Sequence, residues 1–229
     1  MTGRAALLFD LDGTLVDSDA EHLAAFRRAF ARHGIELGAS EYAAKIMGAS
    51  NAMIAKAFLS HLTPMQQAAT IEAKEEDYRN SLDDLEPIAG ATALLDFADR
   101  HGLERAVVTN APRANAEKVL AALGIGERLP IVVIGSELPR SKPDPLPYLK
   151  GLERTGAEAA RSVAFEDSLS GVRAAAAAGL AVVGLTTTLS ADVLIAAGAT
   201  IAAPDFTDPR IHALIGARCG VNPNDGLRA

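Results

Sequence analysis

The chain has 229 residues, a formal charge of −7 and a pI near 5.3, enough to bury a sizeable core in one large domain or a domain with a modest insert. Net negative charge argues against a general nucleic-acid or anionic-membrane binder, which leaves small molecules as the expected partners. A single cysteine, Cys219, permits no intramolecular disulfide; with no export signal or membrane-length apolar run either, the expected location is the cytoplasm.

The first apolar run, Ala5 to Phe9, leads straight into Asp10-Leu11-Asp12-Gly13-Thr14-Leu15. This pattern predicts a buried parallel strand whose C-terminal end opens into a polar turn. Asp10 and Asp12 share a side only while the backbone stays extended past Phe9, and Gly13 then lets the chain turn away. Two carboxylates so close repel each other unless a cation or a shared proton relieves them. A calcium loop also opens with Asp-x-Asp, but it needs its glycine at the sixth position, and Gly13 falls at the fourth.

Next, Asp17-Ser18-Asp19 offers N-cap oxygens to a helix whose apolar positions Leu23, Phe26, Ala29 and Phe30 recur at helical spacing until Gly34. Helical patterns continue from Ser40 to Met47, from Asn51 to His61 and from Thr63-Pro64 to Leu82. No strand pattern lies among them, so residues 17–86 read as an all-helical insert. Pro87-Ile88-Ala89-Gly90 breaks the pattern, and Ala91 to His101 resumes as an amphipathic helix closed by Gly102.

From there strands and helices alternate. Short β-type runs at Arg105–Thr109, Ile131–Ile134, Ser162–Phe165, Ala181–Leu185 and Ile201–Ala203 are separated by helical segments at Ala114–Leu123, Leu146–Thr155, Ser170–Ala178 and Ala191–Ala197. The alternation predicts an α/β fold with a doubly wound parallel sheet. The alanine run Ala174–Ala178 reads as a helix lying close on that sheet, and the tail from Val221 to Ala229 as loosely ordered.

Three later stretches carry chemistry. Thr109-Asn110 ends a strand in a hydroxyl and an amide, both able to hydrogen-bond a phosphate, although Thr-Asn also caps helices. Lys142, among the prolines of Ser141-Lys142-Pro143-Asp144-Pro145, offers a point charge suited to a phosphoryl group. Phe165-Glu166-Asp167-Ser168 delivers two adjacent carboxylates at another strand end. Facing Asp10 and Asp12, these anions call for a divalent cation, and hard oxygen ligands without a His/Cys cluster favour Mg²⁺ over zinc.

Taken in order, Asp10-Leu11-Asp12-Gly13-Thr14, Thr109-Asn110, Lys142 and Glu166-Asp167 resemble the four motifs of the haloacid dehalogenase-like superfamily. The resemblance implies a Rossmann-like core of residues 1–16 and 87–229 and a helical cap of residues 17–86. It further implies a Mg²⁺-dependent phosphatase acting through an aspartyl phosphate: Asp10 as nucleophile, Asp12 as general acid and base, and Lys142, Thr109 and Asn110 holding the phosphate. Asp10, the Asp12 carbonyl, Asp167 and Glu166, directly or through water, would hold the metal. His22 and the turn Gly48-Ala49-Ser50-Asn51 would face the substrate from the cap, with Lys45 and Lys56 as nearby cations. The dehalogenases of the superfamily lack the second aspartate, which is present here as Asp12. The expected substrate is a small phosphorylated metabolite such as phosphoglycolate, a glycerol phosphate or a sugar phosphate, and the expected assembly a monomer or homodimer. The alternative is a sugar phosphomutase of the β-phosphoglucomutase kind.

Overall fold

The computed structural model describes residues 3–82 and 85–223. Most of the tail expected to be loosely ordered, residues 224–229, lies outside them. Six strands, β1 (Ala6–Phe9), β2 (Glu104–Thr109), β3 (Ile131–Ile134), β4 (Val163–Glu166), β5 (Ala181–Leu185) and β6 (Ile201–Ala203), form one sheet in the order β3-β2-β1-β4-β5-β6. All five pairings are parallel. β4 runs one residue further than its apolar pattern suggests, so that Glu166 is its last residue.

Alternation sets the two faces of the sheet. Leu7 and Phe9 of β1, with Val107, Phe165 and Val183, pack against α5 (Ala91–His101), α6 (Arg113–Ala122) and α10 (Pro209–Cys219). Ala6 and Leu8, with Val108, Ala164 and Val182, pack on the other face against α7 (Leu146–Thr155), α8 (Leu169–Ala177) and α9 (Ala191–Ala197). Phe9 and Phe165 stack with centroids 4.8 Å apart, tying together the two strands that carry the acids; such a pair adds about 1 kcal/mol beyond its burial. The alanines of α8 let it sit close to the sheet, with Ala174 and Ala175 fully buried. The sequence reading missed α10, although Asp208-Pro209 marks its start, Ile211, Leu214 and Ile215 recur at helical spacing and Gly220 ends it; its inward residues are Ile211, Ile215 and Cys219, and burial pushes the Cys219 thiol up to about 11.

Between β1 and α5 lie four helices, α1 (Asp19–Ala31), α2 (Ala39–Lys45), α3 (Asn51–Phe58) and α4 (Pro64–Asn80). They have a core of their own, built on Phe26, Phe30, Tyr42, Ile46, Ile54 and Leu59. α4 starts where sequence places it, because Thr63 and Gln66 form a reciprocal capping box with Pro64 at the first helical position. Its two connections run side by side: Val16 and Pro87 form an antiparallel bridge, and the Ile88 amide donates to the Leu15 carbonyl at 2.9 Å. No helix among the described residues is long and apolar enough to cross a membrane.

Candidate active site

In this strand order β1 leads outward to β2 and β3 on one side and the chain then returns to β4 on the other. The crevice beyond the carboxyl ends of β1 and β4 is therefore the topological switch point, where open α/β sheets bind ligands. Asp10 follows β1, Glu166 ends β4 and Asp167 follows it. Their carboxylate oxygens lie within 4.8 Å of one another, and all three residues are buried. The Asp12 carboxylate is not part of this group.

Lys142 enters the cluster from the loop before α7, its Nζ donating to Asp10 Oδ1 at 2.8 Å and to Glu166 Oε1 at 2.5 Å. Burial alone would drive this ammonium toward neutrality, but the two carboxylates outweigh it and hold its pKa above the ordinary lysine value. Even so, one cation faces three acids. Burial, with help from Glu166 and Asp12 and against Lys142, raises Asp10 from 3.8 to about 7. Burial, together with Asp10 and Glu166, pushes Asp167 well above the carboxylate range. A divalent cation is the charge such a cluster lacks, and its hard oxygen donors fit Mg²⁺.

The remaining contacts divide the acids by role. Glu166 is the most fully engaged, since Oε1 also accepts from the Tyr148 hydroxyl at 2.6 Å and Oε2 accepts from Ser168 Oγ at 3.2 Å. Thr14 Oγ1 donates to Asp167 Oδ1 at 3.0 Å. Gly13 is the glycine the turn requires: its φ is +76°, and a Cβ there would lie 2.2 Å from Asp167 Oδ2.

Asp12 faces the helical lobe. Its Oδ1 accepts from Ser18 Oγ at 2.7 Å and from the Tyr78 hydroxyl at 3.0 Å, with His22 Nε2 at 3.4 Å. Burial acts to raise Asp12, but His22, Ser18 and Tyr78 outweigh it and bring the carboxyl down to about 2. The expected capping oxygens of Asp17-Ser18-Asp19 are thus used differently: Ser18 occupies the N-cap of α1 but makes no side-chain cap, its hydroxyl being turned to Asp12.

Thr109 and Asn110 reach the same crevice, where Thr109 uses its hydroxyl only as an acceptor and keeps its O–H donor, while Asn110 is engaged through both ends of its amide. Thr109 Oγ1 accepts from the Ala111 amide at 3.0 Å. Asn110 Nδ2 donates to the Gly48 carbonyl at 2.9 Å and its Oδ1 accepts from the Lys142 amide at 3.3 Å. The Gly48 carbonyl also accepts from Ser170 Oγ at 2.6 Å, so two core side chains grip the Gly48–Asn51 turn. Within that turn Gly48, Ala49 and Asn51 line the cavity over Asp10, whereas Ser50 is the N-cap of α3, accepting from the Met53 amide.

His22 joins the site, stacked on Tyr78 with centroids 3.7 Å apart and with Nδ1 2.8 Å from Lys74 Nζ. Neither Lys45 nor Lys56 lines the cavity; both are exposed, and Lys45 is paired with Glu41. The lysine that lines the cavity from the helical lobe is Lys74 of α4, buried beside Glu75. Sequence did carry a signal for this pair, because Lys74 and Glu75 fall at i+3 and i+4 from Ile71 and ahead of Tyr78, on the stripe where apolar residues belong. Tyr148, which fixes Glu166, has no comparable signal, since an inward tyrosine on a helix is ordinary core.

This geometry, acids at the switch point with a lysine among them and a helical lobe above, defines a hydrolase-type α/β site, and the comparisons agree. Residues 7–185 match the haloacid dehalogenase-like hydrolases, and the chain belongs to that family. The validoxylamine A 7'-phosphate phosphatase of Streptomyces hygroscopicus subsp. limoneus is 32% identical over 208 residues, covering 89% of this chain and 94% of its own. A phosphoglycolate phosphatase of Xanthomonas campestris pv. campestris is 31% identical over 177 residues, 76% of this chain and 80% of its own. A hydrolase from Pseudomonas syringae superposes with a TM-score of 0.82 at 26% identity, covering 91% of this chain and 97% of its own.

Proposed function

We propose that the chain is a Mg²⁺-dependent phosphatase that hydrolyses small phosphate monoesters through an aspartyl phosphate. The observation that carries this reading is the buried group Asp10, Glu166 and Asp167 with Lys142 on Asp10. The relatives named as phosphatases support it. Residues 17–86 are assigned as the cap and residues 1–16 and 87–229 as the core.

An Asp10 carboxylate oxygen attacks phosphorus, the ester P–O bond breaks, and the leaving alkoxide takes a proton from Asp12. Water then attacks the phosphorus of the aspartyl phosphate, gives its proton to Asp12 and releases inorganic phosphate and the Asp10 carboxylate. Asp12 alternates between acid and base, and its partners His22, Ser18 and Tyr78 favour the ionised form that the second step uses. Lys142 positions Asp10 and offsets charge on the transferring group. Glu166 acts mainly by holding Lys142 between its own carboxylate and Asp10, with any metal contact made through water. Mg²⁺ held by Asp10, Asp167 and the Asp12 carbonyl would neutralise the cluster and the incoming phosphate.

The mutase alternative requires a firm cationic grip on a second phosphate. No arginine among the described residues lines the cavity, and Lys74 there is already paired with Glu75. Phosphate release from a panel of phosphomonoesters, run with Mg²⁺ and again with EDTA, tests the function. Release that depends on Mg²⁺ is expected, and undiminished release in EDTA would overturn the mechanism.

A further inference from the structure

The cavity above Asp10 is also lined by His22, Asn51, Lys74 and Glu75 from three cap helices, with His22 linking Lys74 to Asp12. Lys74 and Lys142 are the lysines lining the cavity. Lys142 is spent on Asp10 and Glu166, and Lys74 is paired with Glu75 Oε2 at 3.1 Å and lies over the Phe26 ring at 4.2 Å. Glu75 is no loose surface acid. Only 2% exposed, it accepts from Asn51 Nδ2 at 2.8 Å on one oxygen and from Asn115 Nδ2 at 2.6 Å on the other. Asn115 belongs to α6 of the core, so the carboxylate is fixed from both sides of the cavity. Burial works to raise Glu75, but Lys74, His22 and the two asparagines outweigh it and hold it ionised.

Resting on the phosphatase reading, we propose that Glu75 selects monoesters whose leaving group is uncharged and rich in hydroxyls, and turns away those bearing a carboxylate or second phosphate. A second anion brought against this dry Glu75–Lys74 pair loses its hydration and finds no free cation to offset that loss. The same carboxylate accepts hydrogen bonds from hydroxyls, while Lys74 and Asn51 donate to their oxygens. A neutral polyol thus finds partners of both kinds, whereas an anion finds its one cation already neutralised.

Glycerol 3-phosphate and 3-phosphoglycerate form a matched pair, with a hydroxymethyl group in one where the other has a carboxylate. With Mg²⁺, the wild-type enzyme is expected to show a kcat/KM at least tenfold higher for glycerol 3-phosphate, and E75Q to narrow that ratio at least fivefold. If E75Q gives no cooperative melt, the double variant K74M/E75Q, which removes both charges together, takes its place and should narrow the ratio likewise. Equal or better use of 3-phosphoglycerate by wild type would overturn the proposal. So would an unchanged ratio in a folded variant, or turnover of p-nitrophenyl phosphate with neither member of the pair. Failure to release phosphate from any of the three esters would instead count against the phosphatase reading itself.

Discussion

Asp10 is asked to be a nucleophile in a place that resists its charge. In the metal-free protein burial pushes its carboxyl up from 3.8 to about 7. Below about pH 4 it is protonated in both folded and unfolded chains and contributes nothing to pH dependence. Between there and 7 the unfolded chain ionises while the fold does not, so stability falls as pH rises, and above 7 the full penalty stands. Asp10→Asn removes that penalty along with the nucleophile. In EDTA the variant is expected to melt above wild type at pH 8, by about 2–4 kcal/mol, with the curves converging near pH 4. Phosphate release in Mg²⁺ should fall roughly a thousandfold or more. Equal melting at pH 8, or retained turnover, would contradict the role given to Asp10. Asp10, Lys142 and the Glu166-Asp167 pair are legible from sequence because their type and spacing are forced by charge at strand ends. Tyr148, Lys74 and Glu75 are harder to read, because their partners come from distant segments and only the folded chain brings them together.

At the scale of elements, the turn Gly48–Asn51 leaves no room for a side chain at its first residue. Gly48 has a φ of +65°, and a Cβ there would lie 2.5 Å from Ser168 Oγ and 2.8 Å from Ser170 Oγ. Gly48→Ala therefore strains its own turn and pushes against the core in the closed arrangement, while the isolated helices α1–α4 have no reason to unpack. A drop in kcat/KM of roughly tenfold or more is expected, with the melting temperature changed by only a few degrees. Unaltered kinetics would show that this contact is not needed for turnover. The elements themselves were readable: four helices in the insert and six strands stand where apolar periodicity and glycine stops place them. The boundaries moved by one to three residues, as with the helix expected to reach His61, which ends at Phe58. Ser18 shows why local rules have limits, since its hydroxyl left the helix cap for a carboxylate six positions upstream.

For the molecule as a whole, the proposed site is complete only while the four-helix insert touches the sheet domain: Tyr78 and His22 on Asp12, Asn110 and Ser170 on Gly48, Asn115 on Glu75. These contacts are polar, with Ala25, Tyr78 and Leu82 adding apolar packing on the core, and the two covalent links lie side by side at Val16 and Pro87, about which the insert can swing. The cap is expected to open without ligand and to close on Mg²⁺ with beryllium fluoride. Small-angle scattering should show a smaller radius of gyration on adding that mimic, and identical curves would count against the movement. A different opening can be followed without altering the chain. The single thiol, Cys219, is buried on the inner face of α10, the last described helix, and is held protonated by that burial. Alkylation must wait for α10 to lift from the sheet, so the labelling rate of the unmodified enzyme is a clock for undocking of its C-terminal helix.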